Sequence, residues 1–257
     1  MKLFAYGCSY TFGSELADED VTGMSRKETD ALKSKIGESA FYEKYVERAN
    51  KWHMYNRLMK ERSYANYIAK TLGLDTYINR AVPGASNTHI FYQLLEDINS
   101  NNIDKDDIIF VGVTSFTRFS WHNESRNRLE SCMIQGGLWP SKKFKDQYVK
   151  HVSDKDYILQ NIQSIYAMKS LAKNYKFFYQ TVHWPLTRMY PFSDVGNPLY
   201  KSIMNINNDI VLPGHCLFFE TPDPDNYQLY THAFNHPYKE FHESFGNKLG
   251  EKIREKI

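Results

Sequence analysis

KLFAYGCSYTFG, residues 2–13, decides the fold of this chain. Its first five residues have the length and apolar character of a strand buried in a sheet. Gly7 then permits a sharp turn, which would leave the hydroxyl of Ser9 exposed where the strand ends. Because ligands of open parallel sheets collect beyond the carboxyl ends of the strands, a serine there is placed for chemistry rather than for packing. The plain alternative is that Ser9 caps the following helix.

Further strands and helices are predicted to alternate along the rest of the chain. Short β-rich or continuous apolar runs predict strands at residues 76–79, 107–113 and 176–182. The run DIIFVGV at 107–113 is typical of a central strand, because strands covered on both faces are apolar throughout. Amphipathic spacing predicts helices at residues 63–72, 87–99, 155–173 and 237–257. This alternation predicts βαβ units and an α/β fold with a mainly parallel sheet.

Two segments interrupt the alternation. Residues 14–60 are charged and aromatic and predict a largely helical insertion, whereas residues 114–150 look irregular and surface-exposed. Neither segment contains a repeat or a low-complexity tract that would mark a separate unit. A chain of 257 residues with 42% hydrophobic content can bury one substantial core. We therefore expect one domain over residues 1–257, with two insertions that determine specificity.

Charge and cysteine content exclude several classes of protein. The 32 basic and 30 acidic residues nearly balance and form no dense basic run, so nucleic acid is not an expected partner. Cys8, Cys132 and Cys216 form no CxxC pair, which argues against a disulfide framework or a zinc ribbon. Polar residues interrupt the apolar start after five positions, and no apolar run reaches ~18 residues, so neither a signal peptide nor a membrane span is expected. We expect a cytoplasmic protein without a bound cofactor.

A histidine-rich segment near the C-terminus offers a partner for Ser9. A serine hydroxyl is a poor nucleophile unless a neighbouring base takes its proton, and His236 could be that base. A metal site is a second interpretation, because His232 and His236 are four residues apart and would share one face of a helix. Asp223, Asp225 or His242 would complete such a ligand set. Pro237 disfavours a continuous helix through His236, which weakens the metal interpretation.

Several short stretches of this chain resemble the sequence blocks of the SGNH or GDSL-type hydrolase family, whose fold is a flavodoxin-like α/β/α sandwich. The first block of the family is glycine, aspartate and the nucleophilic serine, and Gly7-Cys8-Ser9 is similar to it, with Cys8 in the aspartate position. The second block carries an oxyanion-hole glycine, and NRAVPGASN at residues 79–87 resembles it, which points to Gly84.

Two further blocks of that family are matched in part. The third block reads glycine, any residue, asparagine, aspartate, and here Thr114 and Ser115 stand in the last two positions. The last block pairs histidine-proline with a second histidine six residues on, and His236-Pro237 with His242 fit that spacing. The aspartate three residues earlier is replaced by Ala233, so the resemblance implies a divergent branch, similar to phage and bacterial sequences.

The acid that would orient His236 is therefore open at the sequence level. Asp223 and Asp225 lie upstream on a proline-rich loop and could fold back toward the imidazole. Carboxylates in such loops are more often solvated turn residues. A backbone carbonyl is the remaining alternative.

The resemblance implies an esterase that works through an acyl-Ser9 intermediate with His236 as general base. The backbone amides of Ser9 and Gly84 would bind the oxyanion. A hydroxyl of Thr114 or Ser115 would replace the missing asparagine. The expected substrate is a small-molecule or glycan ester of a short acyl group such as acetyl. Arg118 lies where it could meet an anionic substrate, although an arginine in a surface loop is usually solvated.

Other interpretations of these residues remain. Two polar residues of the family are replaced, and the alternative is a cleft that only binds a glycan or a protein. Cys8 could be the nucleophile, since a helix N-terminus lowers the pKa of a thiol, but a small buried side chain is the commoner role. His242 could pack beneath the site rather than react. The tryptophans could stack on sugar rings or form a core of the insertions; they are Trp52, Trp121, Trp139 and Trp184.

Overall fold

The computed structural model describes residues 1–115, 118–123, 128–133, 154–182, 198–224, 226, 229, 231–232 and 236–257. Trp139, Trp184, Asp225, Ala233 and the side chains of Trp121 and Cys132 lie outside the described residues. Within these segments no helix combines the length and the apolar character that a membrane span requires.

Four parallel strands form the central sheet, and all four predicted strands are confirmed. They are β1 (Leu3–Tyr6), β2 (Tyr77–Asn79), β3 (Ile108–Val113) and β6 (Lys176–Thr181). Their order in the sheet is β2-β1-β3-β6, so β1 lies between β2 and β3. This order is that of a flavodoxin-like winding, in which the chain runs from the first strand to one edge and then returns past it. Every residue of β3 is buried, as the continuous apolar run predicts.

Helices cover both faces of the sheet and make an α/β/α sandwich. Phe4 and Tyr6 pack into one core with three helices, and Leu3 and Ala5 pack into the other with two, because successive side chains of a strand point to opposite faces. The first set is α7 (Asn87–Asn99), α8 (Asp154–Leu171) and α9 (Pro198–Asp209), and the second is α6 (Tyr64–Thr71) and α10 (Lys239–Arg254). All but α9 were predicted from the amphipathic spacing.

The segment at residues 14–60 is largely helical, as predicted. Its helices are α2 (Asp18–Thr22), α3 (Arg26–Ile36), α4 (Glu38–Tyr42), a π-helical turn (Glu43–Glu47) and α5 (Trp52–Arg62), after the short α1 (Ser9–Phe12). Ser25 and Glu28 form a capping box that starts α3. Phe41, Tyr55 and Met59 belong to a small separate core of this segment, whereas Trp52 is 50% exposed.

The described part of residues 114–150 differs from the irregular surface segment that the sequence predicts. Two antiparallel strands, β4 (Arg118–Asn123) and β5 (Arg128–Met133), form a separate hairpin. Ser86, which caps the N-terminus of α7, hydrogen-bonds Ser120 of β4. The hairpin therefore packs against the sandwich. Each strand mixes apolar with charged or polar residues and has no continuous apolar run like that of β3, so the sequence gives only a weak strand signal there.

Candidate active site

Ser9 is the first helical residue after β1. Cys8 has an extended backbone and occupies the N-cap position of α1, with no side-chain cap. The capping interpretation of Ser9 therefore does not fit, because a capping side chain belongs to the residue at the N-cap. As the first residue of a helix, Ser9 has a backbone N–H that cannot bond within the helix. Ser9 is only 7% exposed, whereas the sequence predicts an exposed hydroxyl at this position.

Gly7 serves a close approach rather than a special turn. A Cβ atom at Gly7 would lie 2.0 Å from Oγ1 of Thr11, and one at Gly112 of β3 would lie 2.3 Å from the same atom. Thr11 Oγ1 and the hydroxyl of Tyr64 hydrogen-bond each other at 2.6 Å. Both glycines therefore make room for this buried pair beneath the loop that carries Ser9, and neither is among the residues with positive φ.

His236 lies against the helix that begins with Ser9. The backbone N–H of His232 donates to the carbonyl of His236 at 2.8 Å, and Thr231 and Pro237 form a bridge beside it. The imidazole ring is 4.9 Å from the ring of Tyr10, centroid to centroid. The structure records no hydrogen bond between Ser9 Oγ and His236, and such contacts commonly tighten only when substrate binds.

The acid beside His236 is Glu15, which the sequence analysis does not identify. Oε2 of Glu15 lies 2.6 Å from Nδ1 of His236, across 221 positions of sequence. A carboxylate only accepts hydrogen bonds, so Nδ1 carries the hydrogen and Nε2 of the neutral ring is left as the basic nitrogen. Burial alone would raise the pKa of Glu15, but the hydrogen bond and charge of His236, together with Lys33, hold it at about 2.

The backbone after α1 turns back sharply and brings Glu15 to this position. Gly13 and Ser14 both donate backbone N–H groups to the carbonyl of Ser9, at 3.0 Å each, which ends the helix. Gly13 has φ +87°, and a Cβ there would lie 2.2 Å from the carbonyl oxygen of Met59. Glu15 itself has φ +68°, a left-handed conformation that is costly for a residue with a side chain. The acid is thus only six positions after the serine.

The acids proposed from sequence have other positions. Asp223 accepts a hydrogen bond from the side-chain amide of Asn226 at 2.7 Å, and the structure places Glu15 rather than Asp223 on His236. Asp225 lies outside the described residues. The spacing typical of the family places the acid three residues before the histidine, whereas Glu15 precedes His236 by 221 positions. No short-range spacing therefore points to it.

Gly84 lies in a turn that is hydrogen-bonded to the loop between β1 and Ser9. Ala85 donates its N–H to the carbonyl of Val82 at 3.0 Å, with Pro83 and Gly84 between them. Proline requires negative φ at the first central position and Gly84 has φ +84° at the second, which is the pattern of a type II turn. The turn bond uses the N–H of Ala85 and not that of Gly84. Val82 also donates its N–H to the carbonyl of Gly7 at 3.0 Å, so the two loops are neighbours.

Thr114 and Ser115 follow β3, and a buried side-chain amide holds the backbone of Thr114. Asn87 Oδ1 accepts the backbone N–H of Thr114 at 2.9 Å, and its Nδ2 donates to the carbonyl of the same residue at 3.1 Å. Nδ2 also donates to Asn161 Oδ1 at 2.9 Å. The N–H of Thr114 is therefore engaged elsewhere. Ser115 is 8% exposed and Thr114 is 1% exposed, which makes Ser115 the more accessible hydroxyl.

Arg118 has a structural contact where the sequence suggests a solvated or substrate-binding arginine. It is 9% exposed, and its guanidinium donates to the carbonyl of Ala85 at 3.3 Å. Its own carbonyl accepts from Asn161 Nδ2 at 3.2 Å. Arg118 therefore joins the hairpin to the loop that carries Gly84.

The histidines expected for a metal site have separate partners. Nδ1 of His232 is 3.3 Å from Oδ1 of Asp30, whereas Nδ1 of His236 contacts Glu15. Thr231 and Pro237, which flank the two histidines, form a backbone bridge, and neither His232 nor His236 is itself in a helix. Among the residues that the structure describes, no three His, Cys, Asp or Glu side chains are grouped so that they could bind a metal ion.

His242 supports the site from beneath, in agreement with the structural role expected for it. It is fully buried in α10, and its Nδ1 accepts the N–H of Tyr64 at 3.2 Å. Tyr64 is the first residue of α6, so His242 satisfies an N–H that the helix cannot. Burial, with smaller effects from His236 and His232, lowers the pKa of His242 to about 3. The fold requires the neutral ring.

The free energy of unfolding should therefore decrease as the pH falls below 6.5. The unfolded chain binds a proton at His242 near its ordinary pKa of 6.5, whereas the folded chain resists it until about pH 3. This one group should contribute a slope of up to about 1.4 kcal/mol per pH unit in that window. Urea unfolding of the wild type and His242→Asn at pH 7.5, 6.5 and 5.5 measures it. Asn keeps an acceptor for Tyr64 but does not titrate, and equal slopes in both proteins would contradict the assignment.

Comparison with known proteins gives a likeness in overall structure. No family model and no curated protein matches the chain. A lipolytic protein of the G-D-S-L family from Desulfitobacterium hafniense is 14% identical with a TM-score of 0.46, and the match covers 98% of each chain. The psychrotrophic esterase EstA from Pseudoalteromonas is 9% identical with a TM-score of 0.48, over 99% of this chain and 97% of that one. LAE5, an α/β hydrolase from the metagenome of Lake Arreo, is 15% identical with a TM-score of 0.46, over 98% and 94%.

The chain is similar to GDSL-type hydrolases. The chemistry of this chain depends on the side chains around Ser9 and His236.

Proposed function

We propose that this protein is a serine ester hydrolase with Ser9 as nucleophile, His236 as general base and Glu15 as the orienting acid. The observation that carries the proposal is the 2.6 Å contact between Glu15 Oε2 and His236 Nδ1. It leaves Nε2 as the basic nitrogen, which is the tautomer that can accept a proton from a serine.

The reaction proceeds in two steps. His236 Nε2 takes the proton of Ser9 Oγ as the oxygen attacks the ester carbonyl, and the resulting imidazolium is stabilised by Glu15. The tetrahedral intermediate collapses to acyl-Ser9 when His236 gives that proton to the departing alcohol. Water then attacks the acyl group with His236 as base, which releases the carboxylic acid and restores the serine.

The oxyanion of each intermediate is proposed to accept hydrogen bonds from the N–H groups of Ser9 and Gly84. Neither group is needed by its local structure, since one opens a helix and the other stands in a turn whose bond uses Ala85. The hydroxyl of Ser115 is the proposed third donor in place of the family's asparagine, because Ser115 is the less buried of the two candidate residues. The substrate that we propose is a short acyl ester, such as an acetyl ester, of a small molecule or a glycan.

A phosphonate ester tests the nucleophile directly. We expect p-nitrophenyl ethylphosphonate to release one equivalent of p-nitrophenolate and to leave one ethylphosphonyl group on Ser9, located by peptide mass spectrometry. The wild type should also hydrolyse p-nitrophenyl acetate in the presence of EDTA. Cys8→Ala is the matched control and should be labelled at Ser9 as well. A label on Cys8, or ester hydrolysis that EDTA abolishes, would contradict the serine mechanism.

A further inference from the structure

A buried lysine contacts the acid from the side opposite His236. Nζ of Lys33, in α3, lies 2.9 Å from Glu15 Oε1 and 2.7 Å from Asp18 Oδ2. The side chains of all three residues are 0% exposed. Lysine and carboxylates are rarely buried completely, and removing one member of such a group leaves an uncompensated charge. The arrangement therefore tolerates little change.

The two oxygens of Glu15 have different partners. Oε2 faces His236, and Oε1 accepts from Lys33, so the plane of the carboxylate is held from both sides. The left-handed backbone of Glu15 is strained for a residue with a side chain and persists only where the surroundings hold it. Lys33 supplies such a hold from an element that is separate in sequence from both Ser9 and His236.

Groups from α2 and α4 contact Lys33, and a group from α5 holds one of them. Asp18 begins α2, and the hydroxyl of Tyr42 at the end of α4 lies 3.2 Å from Nζ. Tyr55 of α5 donates its hydroxyl to Asp18 Oδ1. Burial would lower the pKa of Lys33, but Glu15 and Asp18 raise it above its ordinary value, so the ammonium stays charged.

The charges of this cluster match the reaction. Two carboxylates, Glu15 and Asp18, surround one ammonium, which leaves a net charge of −1 in a buried region beside His236. Protonation of His236 during attack by Ser9 would neutralise that charge. Lys33 therefore fixes the geometry of the acid, while Asp18 restores the negative charge that Lys33 cancels.

We propose that Lys33, held by Asp18, is a positioning residue that keeps Glu15 aligned on His236 and so couples helix α3 to the proposed site. The inference rests on the proposed function. If α3 did not pack against this region, Glu15 would lose its alignment on His236 although Ser9 and His236 were unchanged.

Lys33→Met tests this inference, with Lys35→Met, an exposed position on the same helix, as the matched control. For p-nitrophenyl acetate we expect kcat of Lys33→Met to fall about 10- to 100-fold with KM within about twofold, and Lys35→Met to behave as the wild type. The acid limb of the kcat/KM profile should also move, because the charge facing Glu15 and His236 has changed. In a Glu15→Gln background Lys33→Met should lower kcat no further than about twofold, since Lys33 acts through Glu15.

A purely structural role would give a different result. Equal losses of kcat from Lys33→Met in the wild-type and Glu15→Gln backgrounds, or an unchanged pH profile, would overturn the inference. If Lys33→Met does not fold, Asp18→Ala decides, because alanine removes the oxygen that accepts from Lys33 Nζ and holds it. Its kcat should fall about 10-fold, and no loss would overturn the inference. An inactive wild type that phosphonate does not label would instead refute the proposed function.

Discussion

Replacing Ser9 by alanine is expected to lower kcat/KM for p-nitrophenyl acetate by about 10⁵-fold or more. Without the hydroxyl there is no acyl-enzyme, and His236 and Glu15 have no nucleophile to activate. Only substrate binding and the oxyanion donors would remain, and the N–H of residue 9 is kept in this variant. Initial rates at several pH values, with EDTA present, measure the effect.

Cys8→Ala is the control for that experiment. Cys8 is buried in the core between β1 and the helices α6 and α10, and Ser9 follows it directly. Its replacement should change kcat/KM by only a few-fold. The opposite pattern, in which Cys8→Ala is inactive and Ser9→Ala is active, would identify a thiol nucleophile.

Replacing Glu15 by glutamine is expected to lower kcat by about 10³- to 10⁴-fold while KM changes little. The side chains have the same size, and the amide oxygen can still accept from Lys33. The amide nitrogen would then donate to His236 Nδ1, which places the ring hydrogen on Nε2. That tautomer cannot take the proton of Ser9. The kinetic constants and the rate of labelling of Ser9 by the phosphonate report the loss.

Asp223→Asn is the matched control for Glu15→Gln. Asp223 is a carboxylate that the sequence proposes for the same role, and its oxygen contacts Asn226. Its replacement should leave kcat within about twofold of the wild type. If Asp223→Asn removes activity and Glu15→Gln does not, the orienting acid has been misassigned.

The sheet and most of the sandwich helices can be predicted from the sequence because they depend on local patterns. The apolar run of β3 and the amphipathic spacing of α7 need no knowledge of distant residues. The hairpin of β4 and β5 escapes prediction because neither strand has a continuous apolar run like that of β3.

The candidate site can be predicted only in part. Ser9 is found because it follows a strand in a recognisable block, and His236 because it precedes a proline at a known spacing. Gly84 has a local signal as well, since proline followed by glycine predicts the turn in which it lies. Arg118 has none, because its contact with Ala85 depends on how the hairpin packs.

The sequence by itself determined the α/β class, the strand that leads to Ser9 and the histidine that could activate it. Only the tertiary structure decided which acid meets that histidine. Glu15 and His236 are 221 positions apart, and their contact depends on a sharp change of chain direction in which Gly13 and Glu15 both have positive φ. Lys33 looks like a surface residue of an amphipathic helix, and it is buried because two carboxylates from another part of the chain balance its charge. Such pairings depend on long-range packing and electrostatics, which no local pattern records.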